Sequence, residues 1–213
     1  MPFLRERLVK IVTRALRLVV SIFVAPILVA LTAVPDTVLA DPVMGESRDH
    51  SEALNGVVEG RYILLMRHAI APGFGDPADF QINDCRTQRN LSQEGRDQAA
   101  AIGRFLKQHG IKSATVLSSQ WCRCLETARL LDVGEVEELP ALNSFFQQPD
   151  VRQDRIEAMQ RWLIDYRGSS PTILVTHQVN ITALTNYYPA SGEVVVIQPP
   201  TKDRPLSVIS TIK

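Results

Sequence analysis

Tyr62-Ile63-Leu64-Leu65-Met66 runs without a break into Arg67-His68. Apolar residues in a row, with no polar alternation, predict a short strand buried on both faces, as in a parallel sheet between helices. After a loop over 69–90 rich in Gly, Pro and Asp, Ser92 stands as a helix N-cap with Glu94 in the first turn. Ala99, Ile102 and Leu106, with Phe105 offset, give that helix one apolar face, and His109-Gly110 is a natural stop. The pattern then repeats. Ala114-Thr115-Val116-Leu117 predicts a strand, followed by a helix through Thr127, Ala128, Leu130 and Leu131. Asp150 with Gln153 reads as a capping box for an amphipathic helix carrying Ile156, Met159, Leu163 and Tyr166. Thr172-Ile173-Leu174-Val175 predicts a third buried strand with a helical stretch after His177. Residues 193–198 and 206–212 predict two last strands joined across Pro199-Pro200. Strands alternating with helices imply an α/β fold, a three-layer α/β/α sandwich around a mainly parallel sheet.

In such sheets the ligand site lies beyond the carboxyl ends of the strands. Arg67-His68, residues 118–123 and Thr176-His177 fall there. Singly, a His at a strand end suits a structural role and an Arg suits a solvated surface. Together, two Arg and two His at one sheet edge repel one another unless an anion sits among them. A phosphoryl group fits, because Arg offers a planar fork of donors to phosphate oxygens.

Four stretches carry a family resemblance. Leu65-Met66-Arg67-His68-Ala69 resembles the Arg-His-Gly signature of the histidine phosphatase superfamily, which includes the phosphoglycerate mutases. Residues 90–99, Asn-Leu-Ser-Gln-Glu-Gly-Arg-Asp-Gln-Ala, resemble the segment that opens that family's next helix. Residues 118–128, from Ser118-Ser119 through Arg123 to Thr127-Ala128, match its Ser-Ser-x-x-x-Arg-x-x-x-Thr-Ala segment, and Val175-Thr176-His177 its second-histidine motif. Four motifs in order, over roughly 61–186, are more specific than any one alone. The resemblance implies a phosphoglycerate mutase-like fold and a phosphomonoesterase. His68 would be the nucleophile, forming a phosphohistidine that water hydrolyses. Arg67, Arg123 and His177 would hold the phosphate oxygens, with Arg89 a further candidate, and neither metal nor cofactor is required. Neighbouring cations favour the neutral histidine that such an attack needs.

The chain departs from the family's pattern at Ala69, at Gln178 and at Ser144, which stands where many relatives carry an acidic Glu. A carboxylic acid should still protonate the leaving oxygen. Asp84 is the preferred substitute because it sits beside Cys85, with Asp76, Asp79 and Glu138 as alternatives. Trp121, Phe145 and Phe146 suit a substrate mouth or ordinary packing. The missing Glu also keeps two other readings open: a phosphohistidine phosphatase, whose imidazole leaving group needs little help, and a phosphate-binding pseudoenzyme without turnover.

Residues 1–40 differ from the rest. Arg5, Arg7, Lys10, Arg14 and Arg17 precede an apolar run from Leu18 to Val34, and Val38-Leu39-Ala40 completes a secretory signal pattern. The alternative is an uncleaved N-terminal membrane anchor. Residues 41–60, polar and with Pro42, Gly45, Gly56 and Gly60, read as a linker or a loosely docked arm, and 61–213 as the histidine phosphatase domain that the resemblance implies. Either reading puts that domain outside the cytoplasm, periplasmic or secreted, or anchored facing outward. Of the 23 basic and 23 acidic residues, the first forty hold five and two, so cleavage after Ala40 leaves 18 and 21. That balance is mildly acidic and excludes a nucleic-acid partner. The expected partner is a small phosphorylated substrate, with an envelope sugar phosphate as one candidate. An oxidising compartment permits one disulfide among Cys85, Cys122 and Cys124, and Cys85 with one of the other two is the plausible bridge.

Overall fold

The computed structural model describes residues 48–213. The leader and cleavage expectations fall on residues outside these, as does 41–47 of the expected linker. Among the described residues no helix is long and apolar enough to cross a membrane.

The chain runs α1 (Arg48–Val58), β1 (Ile63–Arg67), α2 (Gln93–Gln108), β2 (Thr115–Ser118), α3 (Cys122–Leu131), β3 (Val136–Glu138), α4 (Arg152–Asp165), β4 (Thr172–Thr176), α5 (Gln178–Thr185), β5 (Val194–Gln198) and β6 (Ser207–Ile212). The six strands form one sheet in the order β3-β2-β4-β1-β5-β6. β1 to β4 are mutually parallel, while β5 is antiparallel to β1 and β6 antiparallel to β5 along one side. The unbroken apolar runs behave as expected: all five residues of β4 are buried, and in β1 alternate residues enter different cores. Leu64 and Met66 pack with Leu54 of α1, Leu106 of α2 and Ala128 of α3, whereas Ile63 and Leu65 pack with Met159 of α4 and Ile181 of α5. Helices thus cover both faces, and the three-layer reading holds.

Two local expectations are corrected. The supposed linker contains α1, whose Ala53, Leu54 and Val57 are buried in the core. Gly56 had suggested a break. Instead it gives the Tyr62 ring a seat, since a Cβ there would lie 2.3 Å from Tyr62 Cδ2. The Asp150–Gln153 capping box is absent as well. Pro149–Val151 form a 3-10 turn, and α4 begins after Val151 without a side-chain cap. Ser92, by contrast, caps α2 as expected, accepting from the Gly95 N–H at 3.1 Å.

Candidate active site

Strand register assembles the site. Arg67 stands opposite Thr176 and Ser118 opposite Val175, so the residues that follow each strand, His68, Ser119 and His177, emerge side by side. The His68 N–H donates to Thr176 O at 3.0 Å and the Ser119 N–H to Val175 O at 2.9 Å. The His68 and His177 ring centroids lie 5.6 Å apart. Arg123 enters from the first turn of α3.

His68 is 2% exposed, and its Nδ1 lies 2.8 Å from Ala69 O. A carbonyl only accepts, so Nδ1 carries the proton and Nε2 keeps its lone pair. Burial lowers the His68 pKa to about 3, helped by the charge of Arg123 and opposed by the Ala69 bond. The ring is therefore neutral in ordinary conditions, as a nucleophile must be. Motif residues hold its loop. Thr127 Oγ1 accepts from Ala69 N–H at 3.0 Å and donates to Arg123 O at 2.7 Å, and Gln98 Oε1 accepts from Ile70 N–H at 3.1 Å. Gly95 allows α2 to approach: a Cβ there would sit 2.0 Å from Ile70 O.

His177 Nε2 lies 2.9 Å from Ser119 Oγ, which is also 3.2 Å from Asn143 Oδ1. Burial holds the His177 pKa well below its ordinary value, with Arg123 adding to the effect. Arg123 is buried and forms a two-pronged ion pair with Asp76, Nη1 to Oδ1 at 2.7 Å and Nη2 to Oδ2 at 3.1 Å. Asp76 also accepts from Trp121 Nε1 and from Arg89 N–H, each at 3.0 Å. Burial pushes the Asp76 pKa up. Its hydrogen bond and ion pair with Arg123, with those two further donors, more than reverse this and hold it below the usual carboxylate value.

These side chains border a cleft of about 360 Å³. His68, His177, Arg123, Arg89, Asp76 and Ser144 line it, and so do Trp121 and Phe146 at its walls. Phe145 belongs to the buried core instead. Arg89 ties the loop together, donating from Nε to Gly75 O at 2.9 Å and from Nη1 to Ala71 O. Arg67 does not line the cleft. Its Nη1 donates to Pro189 O at 3.0 Å, while its charge reaches His68. The Nε groups of Arg67 and Arg123 are buried with no hydrogen-bond partner, two donors suited to an anion.

Asp84 is corrected: it does not line the cleft. It caps the 3-10 turn Cys85–Thr87 and pairs with Arg86, which holds its pKa down to about 2. Its neighbour forms the disulfide, Cys85 with Cys122, while Cys124 is a buried thiol. Asp76 is the only carboxylate lining the cleft among the described residues. Sequence reasoning named it only as an alternative. It lies 47 residues from Arg123 in a loop without periodicity, and nothing local marks the pairing. Glu138 instead accepts from Gln120 Nε2 at 3.0 Å, and Asp79 is exposed away from the cleft. Among the described residues no group of three or more His, Cys, Asp or Glu side chains converges as metal ligands.

Residues 63–146 match the family model of the histidine phosphatase superfamily, branch 1. Over this stretch the chain is similar to that superfamily. The similarity supports phosphatase activity in general. No curated protein matches the sequence. Among solved structures, Mycobacterial hydrolase 1 is 14% identical with a TM-score of 0.53, covering 70% of this chain and 97% of that one. The product of a Mycobacterium tuberculosis open reading frame is 17% identical with a TM-score of 0.52, covering 70% and 96%. A putative phosphohistidine phosphatase SixA from Agrobacterium tumefaciens is 17% identical with a TM-score of 0.50, covering 72% and 97%. At such identities the likeness shows the fold, phosphoglycerate mutase-like, and no more.

Proposed function

We propose that this chain is a member of the histidine phosphatase superfamily, a metal-independent phosphomonoesterase working through a phosphohistidine on His68. The observation that carries this is the His68 ring itself, neutral and lining the cleft with Arg123, with its proton on Nδ1 and its lone pair on Nε2. Nε2 attacks phosphorus as the bond to the leaving oxygen breaks. Arg123, with His177 and the charges of Arg67 and Arg89, balances the equatorial oxygens where charge is spread. Asp76 replaces Asp84 as the proposed acid. An arriving phosphate dianion competes for Arg123 and places negative charge beside Asp76, and both effects favour its protonated form. The protonated carboxyl then gives its proton to the leaving oxygen. Water next attacks the phosphohistidine, its proton returns to Asp76, and phosphate leaves with His68 neutral again.

A second reading has its own support. Asp76 is held ionised by four donors in the structure, so a leaving group needing little protonation suits the site. A phosphoramidate such as phosphohistidine qualifies. For location we propose export. The basic and apolar order of residues 1–40 and a Cys85–Cys122 bridge, which an oxidising compartment preserves, both support it.

The test is hydrolysis of an activated aryl phosphate and an unactivated sugar phosphate by the full chain and by His68→Ala, with chelator present. Chelator-resistant turnover of both esters, absent in the variant, is expected. Turnover of the aryl ester alone moves the substrate class to phosphoramidates. No turnover, or equal rates in the variant, overturns the His68 mechanism in favour of an anion-binding role.

A further inference from the structure

The cleft has two zones of different chemistry. At its base, Arg89 and Arg123 line the cleft with His68, and Arg123 is paired with the one carboxylate, Asp76. Among the described residues Arg89 and Arg123 are the only cations that line the cleft, and both are engaged at this base. Toward the mouth the lining changes to Phe74, Phe146, Gln147, Gln148, Gln178 and Val179, with no ionisable side chain among them. Phe74 is 88% exposed and Phe146 45%, and their rings meet edge to face with centroids 4.8 Å apart. Two aromatic rings held against each other in water are costly to leave uncovered, and a flat apolar face laid over them would remove that surface from solvent. A carboxylate or second phosphate in the same place would lose its hydration against aromatic carbon and gain no counter-charge.

We propose that this cleft selects phosphomonoesters whose leaving group is uncharged and offers a flat apolar face, with Phe74 and Phe146 as the specificity-determining residues. The amides of Gln148 and Gln178 supply neutral hydrogen-bonding partners for hydroxyl or carbonyl groups on such a leaving group. Gln147 is engaged elsewhere: its side-chain amide brackets the backbone of Asp76, accepting from its N–H at 2.6 Å and donating to its carbonyl at 3.1 Å. The same contact joins the mouth to the loop that carries the carboxylate. This inference rests on the phosphomonoesterase reading and goes beyond it by naming the class of leaving group.

A matched pair of substrates tests it: 4-carboxyphenyl phosphate and its neutral methyl ester, assayed with the full chain. The neutral ester is expected to show kcat/KM at least about tenfold higher, the discrimination typical of an apolar pocket. Phe146→Ala should lower kcat/KM for the neutral ester and shrink that ratio, with inhibition by inorganic phosphate unchanged because the base of the cleft is untouched. Gln148→Lys should raise the relative rate on the carboxylate ester. Equal or faster turnover of the carboxylate ester by the unaltered chain overturns the proposal while leaving the phosphatase reading intact. Turnover of neither ester overturns that reading and the proposal with it. Weakened phosphate inhibition in Phe146→Ala, at an unchanged ratio, removes Phe146 from the assignment.

Discussion

At the scale of single residues, Asp76 has two possible duties that kinetics can separate. As an acid it contributes a proton only when the leaving group is poor. As a partner of Arg123 it orients a phosphate donor for every substrate alike. Asp76→Asn is expected to lower kcat on an unactivated sugar phosphate by about 100-fold or more, and far less on an activated aryl phosphate. A uniform rise in KM for both esters would assign it to orientation alone. The site's four motif residues, Arg67, His68, Arg123 and His177, were legible in the sequence because each ends, follows or lies in the first turn of an element whose periodicity is plain. Register brings His68 and His177 together, and the first turn of α3 adds Arg123. Arg67 is the exception, since its side chain turns to Pro189 O rather than into the cleft. Neither the pairing of Asp76 with Arg123 nor the contacts of Ser119 and Asn143 could be read, because they depend on how irregular loops fold back. Motif membership of Ser119, Gln98 and Thr127 was the one available signal.

At the scale of elements, the loop between β1 and α2 forms a wall of the site and is fastened in several places. The Cys85–Cys122 bridge joins it to the start of α3, one residue before Arg123. Gln88 reinforces the junction, accepting from Cys122 N–H at 3.0 Å while its own amide donates to Gln81 O and Ile82 O. Replacing both cysteines, Cys85→Ser with Cys122→Ser, is expected to lower stability by about 4 kcal/mol, given a bridge spanning 37 residues. It should also reduce kcat/KM, because the loop carrying Asp76 and Arg89 loses its tether. Denaturant unfolding and turnover of the same sample check both. Gly95→Ala should cost about 1–3 kcal/mol, the range for forcing extra volume into a packed contact, and should displace the His68 loop by way of Ile70. Among the elements themselves, long periodic ones were readable and short ones were not. β3 is three residues, Val136–Glu138, exposed along two of them and charged, and it joins the sheet only because β2 offers an edge. α1 was hidden by Gly56, whose cost in a helix its packing against Tyr62 offsets.

At the scale of the whole molecule, two buried neutral histidines make the fold sensitive to acid. His68 has its pKa lowered from 6.5 to about 3. Between those values the unfolded chain takes up a proton that the folded chain refuses, so stability falls as pH drops below 6.5. The slope is at most about 1.4 kcal/mol per pH unit from His68, and His177 adds in the same direction. Unfolding at pH 4.5 should therefore need about 2–3 kcal/mol less than at pH 7 from His68 alone, and less again with His177 counted. Asp76 contributes nothing in that window. Its stabilisation is present above the ordinary carboxylate pKa and is lost only below it. Activity between pH 5 and 6.5 should show no titration of His68, which a pH profile of kcat/KM on an aryl ester will reveal. α1 belongs to this same unit: Leu54→Ala is expected to destabilise the entire domain by about 2–5 kcal/mol in a single cooperative transition, read by thermal melting.

Cys124 stands two positions after the bridged Cys122, close enough in an unfolded chain to compete for Cys85 on nearly equal terms. Folding ends that competition. The thiol is sealed within the core against Thr176 O and His177, and burial pushes its pKa up to about 12. Exchange requires a thiolate with access to the disulfide, and Cys124 in the native state has neither. The third cysteine is thus a hazard of biogenesis that the finished fold imprisons, and scrambled pairings will arise during synthesis or after unfolding, not during the protein's working life.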